Sequence, residues 1–482
     1  MAYPRAMSAK QLAQLAAWAT LVTRAAQAET LSVGPGQAYA APCAAVAAAH
    51  DNDVIEIDAA GDYGGDVCQI AKNGLTLRGV GGRAKIDAQG KNAGGKAIWV
   101  ISGHDTTVED LELSGATVPD QNGAGIRQEG DNLTVRRCYF HDNDDGILSN
   151  ASPTSQILIE YSEFGNNGFG DGYSHNLYIG NVAKFTLQYS YSHDAKVGHL
   201  LKSRAAENYI LYNRLSGEQG SSSYELDLPN AGTAVVLGNL IEQGPNTQNP
   251  NLLAYGEEGT AAGNPGHDLH VVNNTFVNDR PGGGTFVSVG DAVDTAAQLQ
   301  NNIFSGPGTV TNQANAKLDK NFSGGDPRLS APASYDYTLQ PDSPCIDQGT
   351  DAGSVGALSL LPAWQYQHPA AARMRVGVGA VDMGAYEFGA GNDASAGVGG
   401  SAPSAAGSSA GGSVANGAGS SAGGSVANAA SGGGAAQTSS TTDSGCSCRA
   451  SPNGPTRGWR LALLVPLASL FRARIRARRR RD

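Results

Sequence analysis

Aromatic residues are scarce, at 6% of the 482 positions, and Gly is abundant at 65, which argues against packed helices and for a turn-rich β architecture. No apolar run reaches the roughly 20 residues of a membrane-spanning helix. Near the C-terminus, LALLVPLASLF (461–471) stops at eleven. The chain shows no zinc-binding spacing, no phosphate-binding loop and no nucleophile elbow in a strand-to-helix setting. Excess cations are also missing from the body of the chain. Residues 449–482 carry ten Arg and one Asp, and residues 1–28 carry three cations and no anion; against a total of −11, residues 29–448 are left at −23. So acidic a body is a poor partner for nucleic acid. A polyanionic ligand would need a locally basic site or a bridging cation.

The termini carry an address. Arg5 and Lys10 precede LAQLAAWATLV (12–22), and Ala26-Gln27-Ala28 fits a small-x-small cleavage site, so 1–28 is expected to be a signal peptide. Residues 390–445 are nearly all Gly, Ser and Ala; GSSAGGSVANGA (407–418) returns as GSSAGGSVANAA (419–430), so the segment is a flexible tether. Residues 446–482 follow with Cys446, Cys448, the short apolar stretch and an Arg cluster. This tail resembles the C-terminal sorting signal of myxobacterial surface proteins. The resemblance implies export, anchoring at the cell surface or outer membrane through the tail, and processing at Cys446 or Cys448. Six Cys in an exported chain suggest disulfide chemistry, and Cys43 and Cys68 are close enough in sequence to pair.

Between the termini a short pattern repeats: an apolar residue, two variable ones, a small or amide residue, one more variable residue, then usually an apolar one. It reads VEDLEL (108–113), VRRCYF (135–140), IEYSEF (159–164), LQYSYS (187–192), LYNRLS (211–216), VLGNLI (236–241), VVNNTF (271–276) and LQNNIF (299–304). The steps between starts are 27, 24, 28, 24, 25, 35 and 28 residues. Such units hold two or three short strands each, and stacking them places parallel strands about 4.8 Å apart. In the fourth column Asn239, Asn274 and Asn302 fit a hydrogen-bonded ladder, which Arg214 interrupts. On these repeats the chain resembles the single-stranded right-handed parallel β-helix proteins, the pectin lyase-like fold of pectate lyases and polygalacturonases. The expected class is therefore all-β: an N-terminal cap at 29–74, the solenoid at 75–315 and an associated C-terminal segment at 316–389. In that last segment SPCIDQG (343–349) and VDMGAYEF (381–388) resemble the ending of bacterial β-helix proteins. A monomer is expected.

Fold does not give function here, so the polar residues must carry it. HDNDDGI (141–147), GDGYSHNLYIG (170–180), VGHLLKSR (197–204) and SYELDLPN (223–230) fall on adjacent coils. Aligning Ile147, Leu177, Leu201 and Leu226 inward sends Lys202 outward and brings His175, His199, Lys202, Glu225 and Asp227 onto neighbouring coils. A one-residue slip would reverse this. The resemblance to polysaccharide lyases implies Lys202 and Arg204 as base and electrophile on an acidic polysaccharide, with Ca²⁺ held by Glu225 and Asp227. The resemblance to polygalacturonase-like hydrolases competes. It implies Asp144 and Asp145 as the paired carboxylates, His175 as the His motif and Lys202-Ser203-Arg204 as a reversed basic motif, although QNGAGI (121–126) lacks the Asp of the first motif. Tyr173, Tyr178 and Tyr224 lie on the same coils and can stack on sugar rings. A non-catalytic glycan-binding or adhesive surface protein is the third reading, and lyase, hydrolase and binder stay open at this point.

Overall fold

A computed structural model describes residues 28–261 and 264–389. Apart from Ala28, the expected signal peptide lies outside the described residues, as do the linker, Cys446, Cys448 and the sorting tail. Among the described residues no helix is long and apolar enough to cross a membrane.

The described chain is a parallel β-helix. It visits three sheets in turn and returns to each one coil later. Sheet I has twelve strands, from Thr30–Val33 to Lys317–Asp319; sheet II has nine, from Ala84–Asp87 to Ile303–Ser305; sheet III has ten, from Cys68–Ile70 to Thr309–Thr311. Parallel pairing in sheet I therefore starts at Thr30, within the stretch read as a cap. A seven-residue helix, Pro42–Ala48, contributes Ala45 and Val46 to that end of the core, and Cys43 and Cys68 are disulfide-bonded with Cα atoms 5.8 Å apart. Cys138 and Cys345 are free and buried.

Apolar residues recur once per coil because each inward position must be filled at every level. In sheet I, Val108, Val135, Ile159, Leu187, Ile210, Val236, Val271 and Leu299 stack in one register. Phe140 and Phe164 stack at 5.0 Å between ring centres, and Phe276 and Phe304 at 5.2 Å.

The inward column corrects the repeat alignment in one coil, which starts at Ile210 and not at Leu211. Adjacent Ile210 and Leu211 made both starts acceptable on hydropathy alone. The hydrogen bonds decide between them. Asn213, not Arg214, occupies the corner position, and the ladder is unbroken. Backbone N–H groups of Cys138, Ser162, Ser190, Asn213, Asn239, Asn274 and Asn302 each donate to the side-chain oxygen one coil on, ending at Asn321. Arg214 points outward instead, onto Glu218 at 2.8 Å and over the rings of Tyr191 and Tyr335.

The C-terminal segment folds back over two of the three faces. Tyr337, Leu339, Tyr366 and Met383 pack on Tyr191, Leu240, Val277 and Ile303 outside sheet II. Leu360, Trp364 and Ala372 pack on Tyr189, Leu211, Tyr212 and Val235 outside sheet I. Several tyrosines that are dense in the sequence are thus structural. Gly384 is needed at this seam: its φ is +89°, and a Cβ there would lie 2.6 Å from Ile303. Arg375 and Glu387 form a buried ion pair at 2.9 Å within the segment.

Outside sheet II a Tyr-x-His-Asp unit occurs twice. Tyr139 stacks on His141 at 4.3 Å, and Tyr191 stacks on His193 at 4.2 Å. His193 also faces Asp194 at 2.8 Å and Glu163 at 3.4 Å. Burial disfavours its charge, but the two carboxylates prevail and push its pKa up to about 9.

Two predictions follow from these contacts. Asn239 gives its amide hydrogens to Ile210 O and Asn274 Oδ1 and accepts two from Asn213. Asn239→Ala strands these buried partners, so urea unfolding should show a loss of about 3 kcal/mol. Asn321→Ala, at the half-buried end of the ladder, should cost about 1 kcal/mol; equal costs would deny the ladder its role. The raised pKa of His193 means that its charge stabilises the fold fully below pH 6.5, and that this contribution is lost as pH rises through about 9. Wild type should lose up to about 3 kcal/mol across that window relative to His193→Gln. Parallel stability–pH curves for the two proteins would refute the pairing.

Candidate functional site

Sheet III carries the polar cluster. Tyr178, Lys202 and Asp227 are register partners on successive strands, Leu177–Ile179, Lys202–Ser203 and Leu226–Leu228. Leu201 faces inward and Lys202 outward. Lys202 is only 9% exposed, because a loop closes over it. Its ammonium lies 2.9 Å from Asp227 and 2.9 Å from Glu258. Arg204, two residues on, reaches the other oxygen of Glu258 at 2.7 Å, donates to Tyr178 Oη at 2.9 Å and to Asn230 Oδ1. One carboxylate thus bridges two cations on one strand.

Below this pair runs a second ladder. Asp145 Oδ1 accepts the N–H of His175 at 2.7 Å, His175 Nδ1 accepts the N–H of His199 at 3.0 Å, and His199 Nδ1 accepts the N–H of Tyr224 at 3.4 Å. The two imidazoles stack at 4.4 Å. A ring nitrogen that accepts a backbone N–H carries no proton, so each neutral imidazole holds its proton on Nε2. His199 Nε2 lies 3.5 Å from Asp227. Burial, then Lys202 and Arg204, lower His175 to about 3; burial, His175 and the same two cations hold His199 well below its usual value. Both are hydrogen-bond donors at neutral pH, not bases.

The other charges follow the same logic. Burial lowers and the two carboxylates raise Lys202, and the carboxylates prevail, so it stays an ammonium. Burial lifts Asp227 to about 6 against the pull of Lys202. Burial raises Glu258, but Arg204 and Lys202 bring it below the ordinary value.

Lys202, Arg204, Asp227, His175, His199, Tyr178 and Tyr224 therefore gather in one place. Four other expectations need correction. Glu225 does not share a face with Asp227. Alternation holds only within the strand, which begins at Leu226; one residue upstream the chain is turning a corner, and Glu225 is 0% exposed in the interior. The two side chains expected to share a Ca²⁺ therefore lie on different faces of the coil. Among the described residues no group of three or more His, Cys, Asp or Glu side chains is placed to hold a metal. Asp144 and Asp145 are not an open acid–base pair: Asp144 accepts the N–H groups of Val118 and Gly123, and Asp145 is taken by His175. Burial raises Asp145 well above the usual carboxylate value. Tyr173 is 86% exposed on the preceding loop and makes no ring contact with the cluster; Phe169 on that loop is 53% exposed.

Glu258 and Asn230 were missed. Glu258 has a sequence signal in retrospect. The repeat step of 35 residues between 236 and 271 holds an insertion, and AYGEEGT (254–260) within it carries the two glutamates between glycines. The turn at Gly256 has φ +69°, and the N–H of Glu258 is anchored on Pro229 O at 3.0 Å.

A family model described as a right handed beta helix region matches residues 73–223, which supplies the hand of the coil. The chain is similar to a pectate lyase, Pel9A, with a TM-score of 0.50 and 13% identity over 75% of this chain and 96% of that one. It is also similar to an alginate lyase from Paenibacillus sp. str. FPU-7, with a TM-score of 0.39 and 12% identity over 61% of this chain and 99% of that one. At these identities the first likeness shows the fold and the second adds nothing to it. No curated protein matches the chain. The molecule is a right-handed parallel β-helix.

The ion pairs differ in how dry they are, which can be tested. Lys202→Met leaves the buried Asp227 carboxylate without its cation and should cost about 2–4 kcal/mol in urea unfolding. Glu258 is 47% exposed, so Glu258→Gln should cost less than about 1 kcal/mol. A Lys202→Met protein as stable as wild type would show that water, not Lys202, balances Asp227.

Proposed function

We propose that this chain binds acidic polysaccharide along sheet III, with Lys202 and Arg204 clamping a uronate carboxylate. The observation that carries the reading is Glu258. The two cations already hold a carboxylate between them, at 2.9 and 2.7 Å, from a half-exposed loop side chain that a ligand can displace. The ring of Tyr178, which lies beside the Arg204 guanidinium, offers a sugar a face to stack on next to the charge clamp. A solved neighbour that shares the fold is by name a pectate lyase, and pectate is a polymer of uronate.

Binding is favoured over cleavage. β-Elimination needs a base beside the uronate carboxylate, and Lys202 is protonated by its two carboxylates while both imidazoles keep Nδ1 occupied. Hydrolysis needs two available carboxyl groups; Asp144 and Asp145 are spent on backbone N–H groups, and Asp227 and Glu258 are paired with Lys202 and Arg204. We also read the protein as exported and surface-anchored. The Cys43–Cys68 disulfide supports an oxidising compartment, while the segments that carry the address lie outside the described residues.

Calorimetry of the full chain with oligogalacturonate, oligomannuronate and a neutral xylo-oligosaccharide, in Ca²⁺ and in EDTA, tests the reading. Uronates should bind and the neutral sugar should not. Arg204→Met should weaken uronate binding about 10-fold or more, and Glu258→Gln, which removes the internal competitor, should strengthen it. Equal affinity for the neutral sugar would sink the proposal. Growth of unsaturated-uronate absorbance during the titration would replace binding with lyase activity.

A further inference from the structure

The corner between sheets II and III, one coil from the cation pair, holds a set of buried oxygens with nothing to bind. Glu225 Oε1, Gln243 Oε1, Ser222 Oγ and Thr247 Oγ1 lack hydrogen-bond partners, as does Oε1 of the adjoining Glu242. Glu225, Gln243 and Ser222 are fully buried, and Thr247 is 5% exposed. They are neighbours. Gln243 Nε2 lies 3.4 Å from Glu225 Oε2, and Ser222 sits close enough to Glu225 to bear on its charge without forming an ordinary hydrogen bond. Ser222 Oγ and Thr247 Oγ1 both face the bare side of Gly217, where a Cβ would lie 2.9 and 3.2 Å from them. The orientation of the Gln243 amide is set, because its nitrogen donates to Asn249 O at 2.8 Å; the oxygen is left as an acceptor.

No cationic side chain answers this cluster. The charged group that bears on Glu225 is another acid, Glu242, whose Oε2 is engaged by Ser216 Oγ at 2.6 Å and by the N–H of Glu218 at 2.9 Å. A buried carboxylate that finds no cation on the protein either gives up its charge or takes an ion. A proton on Glu225 would answer one oxygen of the four. A water can bridge several of them but brings no charge. A cation meets the charge and the unpaired oxygens together.

We infer that Glu225, Gln243, Ser222 and Thr247 bind a monovalent alkali cation inside the corner of the coil. Burial raises Glu242 to about 7, and its Oε2 is already engaged by Ser216 and the N–H of Glu218, so the charge left to answer is that of Glu225; one carboxylate with three neutral oxygens matches a single positive charge. The ion would fix the turn that feeds the strand Leu226–Leu228, and so fix Asp227 opposite Lys202. It is separate from the uronate clamp, which lies on the outer face.

The test is thermal unfolding of the full chain in sodium, potassium or N-methylglucamine chloride at equal ionic strength. Wild type should melt about 2–4 °C higher in at least one alkali salt than in N-methylglucamine. Glu225→Gln should abolish that difference. Ser222→Ala and Thr247→Val, which remove a neutral ligand each, should reduce it and keep the inference testable if Glu225→Gln does not fold. Identical melting in all three salts would overturn the proposal in favour of a neutral Glu225 with bound water. So would an alkali shift that survives in the variants.

Discussion

Everything in this molecule depends on the register between one coil and the next. A parallel solenoid has no tight hairpins to pin its strands, so side chains must do it. Here the pin is the corner ladder from Cys138 to Asn321, in which each coil hands a backbone N–H to an oxygen one level on. A slip of one residue would leave donors and acceptors unpaired along the whole corner. It would also turn Lys202 into the core. The ladder is therefore the reason that a cation can sit safely two residues from another cation on an acidic protein.

The outer face of sheet III shows the second consequence of stacking. Charges on successive coils are close enough to neutralise one another, and these do: Asp227 and Glu258 hold Lys202, and Glu258 holds Arg204. Such a face attracts no anion at long range, which fits a body at −23. On the proposed reading, recognition comes from exchange of one carboxylate for another at short range, where bidentate geometry counts for more than net charge.

Much of this was legible in the residues, and the failures have local causes. Hydrophobic recurrence placed the strands, and the choice of Leu201 over Leu200 keeps Lys202 out of the coil interior, although a loop still covers it. Arg214 was put on the ladder because Ile210 and Leu211 are both apolar, so hydropathy could not see the slip that Asn213 resolves. Glu225 was paired with Asp227 because period-two alternation was carried one residue beyond a strand of three. Glu258 was overlooked because it comes from an insertion, and a repeat pattern describes what recurs, not what interrupts it. The burial of Tyr189, Tyr191 and Tyr212 was not legible, because nothing upstream foretells that residues 320–389 fold back over them.

The histidines join the two halves of the argument. Nδ1 of His175 and of His199 is a rung, doing for sheet III what the amides do at the corner. That duty forces the proton onto Nε2 and leaves a fixed donor beside Asp227. Position and chemistry are thus set by one hydrogen bond: the backbone N–H that holds the coil in register also decides that the imidazole offers a proton to the outer face and does not take one. A solenoid that pins its coils with histidine cannot then use the same rings as bases while the coils stay stacked. This is why the proposed function is the holding of an acidic sugar and not its cleavage.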